Sequence, residues 1–108
     1  KNDILKQEAK LIYEKLHHKD TLICLDEKGV EYSSVAFSSL IEKEQTQSTK
    51  LIFLIGGSFG IADEIKAISK HTISFSKMTF PHQLIRLFFV EQLYRAFSIL
   101  KNEKYHHE

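Results

Sequence analysis

The chain has 108 residues, one domain's worth, and its 43% hydrophobic and 27% charged residues exclude a generally disordered polypeptide. Fifteen Lys and Arg against fourteen Asp and Glu leave a net charge of +1, which makes no general case for a nucleic-acid partner. The single cysteine, Cys24, excludes a disulfide scaffold and fits a reducing, cytoplasmic compartment, and no uncharged apolar run is long enough to span a membrane.

Asn2 or Asp3 can cap a first helix whose apolar positions, Ile4, Leu5, Ala9, Leu11, Ile12 and Leu16, follow helical spacing. Thr21 to Leu25 is a short, nearly all-apolar strand, and Asp26-Glu27-Lys28-Gly29 reads as the turn that ends it. Ser33 or Ser34 can cap a second helix with Phe37, Leu40 and Ile41 inward, and Glu44 to Lys50 forms its polar exit. Leu51 to Ile55 is a second strand. Gly56-Gly57-Ser58-Phe59-Gly60 follows, then a short helix with Asp63 and Glu64 in its first turn, where the helix dipole favours acids. Thr72 to Phe75 is the third strand, Ser76 to Pro81 a loop, and His82 to Leu100 the longest helix. Strands alternating with helices, with apolar runs buried on both faces, predict a parallel α/β sheet. Three strands make a thin sheet, so a further segment or a partner chain is expected to complete the core.

The last helix carries Leu84, Ile85, Leu87, Phe88, Phe89, Val90, Leu93, Tyr94, Phe97, Ile99 and Leu100 around nearly its whole circumference. A helix apolar all round needs cover on all sides, and so small a domain has little depth to provide it. The expectation is a homodimer built on this helix. Charge favours the same region for an anionic ligand: residues 77–108 hold five Lys and Arg against three Glu, and three of the six histidines.

Gly56 to Gly60 formally matches G-x-S-x-G, with Ser58 as nucleophile, but that architecture needs a much larger sheet to hold serine, acid and histidine apart. The run is neither a Walker loop nor G-x-G-x-x-G. Glycines after a parallel strand do let backbone approach a ligand at the carboxyl end of the sheet. His17-His18 and His106-His107 are adjacent pairs that do not share a helix face, so no metal site is expected. Cys24, in an apolar strand, reads as inert core.

Three segments taken together carry a resemblance. They are Leu54 to Gly60, Ile73 to Gln83 (ISFSKMTFPHQ), and Glu91 to Phe97 (EQLYRAF) with the terminal Tyr105-His106. In this order they resemble the RlmH family of small bacterial SPOUT-class methyltransferases, and the likeness spans the chain. The resemblance implies a single SPOUT domain over residues 1–108, an α/β trefoil knot with a parallel sheet. The family's amino-terminal strand and helix are lacking from this chain. It further implies S-adenosyl-L-methionine as cofactor, ribosomal RNA of the large subunit as substrate, methylated at N3 of a pseudouridine, and a cytoplasmic homodimer with no membrane or metal partner. Leu25, Gly56, Gly57, Phe75, Ser76, Lys77, Met78, Thr79 and Phe80 would line the cofactor site. The other reading is a catalytically inactive RNA-binding or assembly module of the same fold.

The chemistry that this substrate would need can be set against the residues. An imide nitrogen is a poor nucleophile until it loses its proton. Candidates near the last helix are Arg95, His82, Tyr105 and His106. Arg95 stays cationic, so it can hold phosphate or favour the imide anion but cannot act as base. Glu91, four residues earlier, can orient it. His106 is the better proton acceptor by intrinsic pKa, and its place in a tail suggests ordering when RNA arrives.

Overall fold

The computed structural model describes residues 2–48, 50–56 and 60–107. Its elements are α1 (Asn2–Lys15), β1 (Thr21–Glu31), α2 (Ser34–Gln47), β2 (Leu51–Ile55), α3 (Asp63–Ile68), β3 (His71–Ser74) and α4 (His82–Leu100). The central strand is β1, with β2 and β3 parallel to it on either side.

Alternation along β1 builds two cores. Ile23 and Leu25 face one way and pack with Phe37, Leu40 and Ile41 of α2 and Ala96 of α4. Leu22 and Cys24 face the other way and pack with Ala9 of α1, Ile65 of α3, and the Ile61-Ala62 segment before α3. A strand covered on both faces must be apolar throughout, which is why Thr21 to Leu25 shows no polar alternation. The arrangement is three layers, with α1 and α3 on one face and α2 and α4 on the other.

Several expectations need correction. The turn at Asp26 to Gly29 does not end β1. It is an excursion after which the strand resumes, so that Leu25 and Val30 both stand opposite Ile73. Gly29 is required by close approach, because a Cβ there would lie 2.5 Å from the Thr72 carbonyl oxygen. The third strand begins one residue earlier than the apolar run suggests, at His71, and ends at Ser74. Ile4 and Leu11 of α1 point to solvent, while Leu5, Ala9, Ile12 and Leu16 pack inward.

Glu44 is no polar exit either. The second helix runs on to Gln47, and Glu44 is wholly buried, with Lys70 Nζ and His71 Nε2 each 2.7 Å from its carboxylate. Elsewhere the local signals hold: Ser33 caps α2, its hydroxyl accepting from Ala36 N–H at 3.1 Å, and α4 spans His82–Leu100. That last helix is covered on one side only. Ala96 and Ser98 are buried, whereas Leu84, Leu87, Val90 and Tyr94 are exposed.

Candidate active site

The carboxyl ends of the three strands open on a cleft of about 490 Å³, within the range of small-molecule sites. Leu25, Gly56, Phe75, Ser76, Met78, Thr79 and Phe80 line it, as does His82. Lys77 is not among its lining residues, and Gly57 and Ser58 lie outside the described residues. The floor is apolar, from Leu25, Ile55 and Ile73. Gly60 adopts φ +81°, a conformation glycine takes without strain, and its backbone comes so close that a Cβ on Gly56 would stand 2.8 Å from it.

Serine hydroxyls shape the loop after β3. Ser74 Oγ donates to the Ser76 carbonyl at 2.8 Å, and Ser76 Oγ accepts from Met78 N–H at 3.0 Å. Phe80 packs edge-on against Phe88, and the Pro81 carbonyl accepts from Leu84 N–H at 3.0 Å, locking the loop's exit onto α4. Residues that the sequence reading missed complete the walls. Asp26, Glu27 and Lys28 reach the cleft from the excursion of β1, and Lys66 from α3. Lys66 pairs with Asp26 at 2.9 Å, and Thr79 Oγ1 donates to Glu27 Oε2 at 2.7 Å. Reading that segment as a turn hid it, since a turn gives no hint of where its side chains point.

A second cleft of about 430 Å³ adjoins the first and shares Ile73, Phe75, Ser76 and Phe80 with it. Its far wall includes Glu91 and Gln92 of α4. The Gln92 amide nitrogen faces the Glu91 carboxylate at 3.2 Å, which turns its oxygen to accept from Ser34 Oγ at 2.7 Å.

Three of the four expected catalytic side chains meet around Glu91. Arg95 grips that carboxylate through Nε at 3.2 Å and a terminal nitrogen at 2.7 Å, and Tyr105 Oη donates to it at 2.7 Å. The guanidinium also lies 4.7 Å from the Tyr105 ring centre. Its other nitrogen donates to His106 Nδ1 at 3.1 Å, which places the ring proton on Nε2. His82 stands apart in the first cleft, about 20 Å along the helix from Arg95 at 1.5 Å per residue. Arg95, Tyr105 and His106 line neither of these two clefts.

The tail thus folds back onto α4 at Glu91 and Arg95. Its return has a local cause. Asn102 adopts φ 59°, its N–H bonds the Ile99 carbonyl at 3.0 Å, and Glu103 N–H bonds the Ser98 carbonyl at 2.9 Å. This is a Schellman closure with asparagine in the left-handed position.

Charge sorts the roles. Hydrogen bonds from Arg95 and Tyr105 hold the Glu91 carboxyl below its ordinary range. The hydrogen bond to Glu91 pushes the Tyr105 phenol up and holds the Arg95 guanidinium still more firmly protonated. At neutral pH the cluster presents a fixed cation, a fixed anion and a phenol that keeps its proton. Burial pushes the Cys24 thiol up, as suits a core residue. Among the described residues no three His, Cys, Asp or Glu side chains gather as a metal site would need, and no helix is long and apolar enough to cross a membrane.

The profile of the family described as "Predicted SPOUT methyltransferase" matches residues 1–106. The chain belongs to that family. It is 50% identical over 104 residues to ribosomal RNA large subunit methyltransferase H of Flavobacterium psychrophilum, covering 95% of this chain and 66% of the relative. The protein of the same name from Cytophaga hutchinsonii is 50% identical over 108 residues, covering 98% of this chain and 70% of the relative. That of Christiangramia forsetii is 49% identical over 107 residues, covering 98% and 68%. The chain thus spans about two thirds of the length of these curated relatives.

Proposed function

We propose that this SPOUT methyltransferase uses S-adenosyl-L-methionine to methylate N3 of a pseudouridine in large-subunit ribosomal RNA, acting as a cytoplasmic homodimer. The observation that carries the reading is the first cleft, built at the carboxyl ends of parallel strands in a chain half identical to named ribosomal RNA methyltransferases. The cleft fits an adenosyl group: its volume suffices, its floor is apolar, and the Phe75 to Phe80 backbone, outside the sheet ladder, has polar groups to offer a purine.

Bound S-adenosyl-L-methionine supplies an electrophilic methyl carbon on a sulfonium. Leu25, Ile55 and Ile73 would hold the purine, and Gly56 would keep the backbone within reach. Arg95 favours the imide anion of the substrate by its fixed charge, while Glu91 and the Tyr105 ring hold the guanidinium in the resting cluster. His106 Nδ1 takes the imide proton once Arg95 has turned from it to the developing anion. Because these three side chains line neither cleft of their own chain, and the exposed apolar face of α4 runs beside them, they serve the cleft of a partner subunit.

Calorimetry with S-adenosyl-L-methionine and methyl-transfer assays on intact ribosomes, both with the full-length protein, test the reading. Binding together with transfer is the expected result, and absence of binding would refute it. Arg95→Ala should lower the transfer rate by about a hundredfold or more, as loss of an oxyanion-type contact does, and leave cofactor affinity little changed. His106→Ala should slow transfer and steepen its rise with pH, because the imide must then ionise into water. Parental transfer by the Arg95 variant would remove Arg95 from this role.

A further inference from the structure

Two carboxylates line the first cleft, and only one is occupied on both oxygens. Asp26 Oδ1 accepts from Lys28 N–H at 2.8 Å and Oδ2 pairs with Lys66 at 2.9 Å. Burial raises the Asp26 carboxyl, but these partners outweigh it and hold the group below its ordinary range. Glu27 gives Oε2 to Thr79, while its Oε1 has no partner among the described residues.

The backbone beneath Glu27 is well held. Gly29 is pressed against Thr72 and Ile73 too closely for any side chain, and Asp26 ties the excursion both to Lys28 and to α3. Glu27 therefore projects from a fixed platform just past the central strand's regular run, and Thr79 steadies its carboxylate from the loop opposite. An adenosyl group asks two things of such a cleft: an apolar slot for the purine, and acceptors for the vicinal hydroxyls of the ribose. In dinucleotide-binding α/β folds a carboxylate beyond a parallel strand meets the second need. The hydroxyls of Ser76 and Thr79 are engaged within the loop and with Glu27.

We propose that Glu27 accepts hydrogen bonds from the ribose hydroxyls of the adenosyl cofactor, with Thr79 positioning its carboxylate. The proposal rests on the functional reading above and adds a residue that sets selectivity for a ribonucleoside over its deoxy forms.

Calorimetry on the full-length protein with S-adenosylhomocysteine and its 2′-deoxy and 3′-deoxy counterparts tests it without any turnover. The parent should bind the deoxy ligands about tenfold or more weakly, the scale of one hydrogen bond to a charged group. Glu27→Ala should bind S-adenosylhomocysteine weakly and no longer tell the three ligands apart. Glu27→Gln, which keeps an acceptor for Thr79, should recover part of both, with melting temperatures confirming that each variant folds. Should the alanine variant fail to fold, the glutamine variant and Thr79→Val decide, each expected to narrow the discrimination. Discrimination at the parental level in a folded Glu27 variant would overturn the proposal. If the parent bound none of the three ligands, the functional reading would fall and this proposal with it.

Discussion

Glu44 shows how one side chain can carry a pH response. Burial raises its carboxyl, yet hydrogen bonds from Lys70 and His71 outweigh burial and leave the folded-state value below the unfolded one, near 4.5. A depressed carboxylate contributes stability that is complete above the unfolded value and is lost as pH falls through the folded one. Urea midpoints should therefore drop as pH is taken below 4.5, and Glu44→Gln should flatten that drop. At neutral pH the variant keeps one acceptor oxygen and turns an amide NH2 toward the other donor, a cost of about 1–3 kcal/mol. An unchanged acid profile in the variant would assign the sensitivity elsewhere. Gly29 is the second residue of this kind. With a Cβ 2.5 Å from the Thr72 oxygen, Gly29→Ala must push β1 from β3, costing about 1–3 kcal/mol in a urea melt.

The elements differ in how far the sequence disclosed them. A serine cap with helical spacing located α2, a long apolar run located α4, and an unbroken apolar run located the centre of β1, because each depends on neighbours in the chain. The rest of β1 depends on β3, which lies far along the sequence, so a segment of turn composition concealed a strand that resumes at Val30. Glu44 was misplaced for the same reason: nothing local announces that Lys70 and His71 will come to meet it. Ser76 to Pro81 was legible as a loop, but its proposed role came only through resemblance to a family, whereas Glu27 and Lys66 had no signal of either kind. Packing between α2 and α4 provides an element-scale test. Ala96 is fully buried where the two helices share a core with Phe37 and Ile41. Ala96→Leu should force them apart at about 1–3 kcal/mol, read as a lower denaturation midpoint, while Ala96→Ser should cost less.

At the scale of the molecule, α4 has one dry side and one bare side. Leu87, Val90 and Tyr94 are 63%, 61% and 58% exposed, a run of apolar surface that isolated subunits rarely leave uncovered. Sedimentation of the full-length protein at micromolar concentration should give a two-fold dimer, in which the same face meets its own copy. Leu87→Glu should shift it to monomer and, on the proposal that the Arg95 cluster serves a neighbour's cleft, abolish transfer without preventing cofactor binding. A parent that sediments as monomer would end this account of the assembly.

The placing of β1 at the centre of the sheet has a consequence for synthesis. The ribosome makes this strand before either strand that will flank it, β2 and then β3. Until Ser74 has left the exit tunnel, Thr21 to Leu25, a nearly all-apolar run, cannot be paired on both edges. Unpaired edges on such a segment invite association with other chains. Nascent chains stalled with residues 1–47 outside the tunnel should recruit a holding chaperone, and chains stalled beyond α4 should have released it. The order of translation thus leaves the strand that anchors every layer of the fold waiting longest for its neighbours.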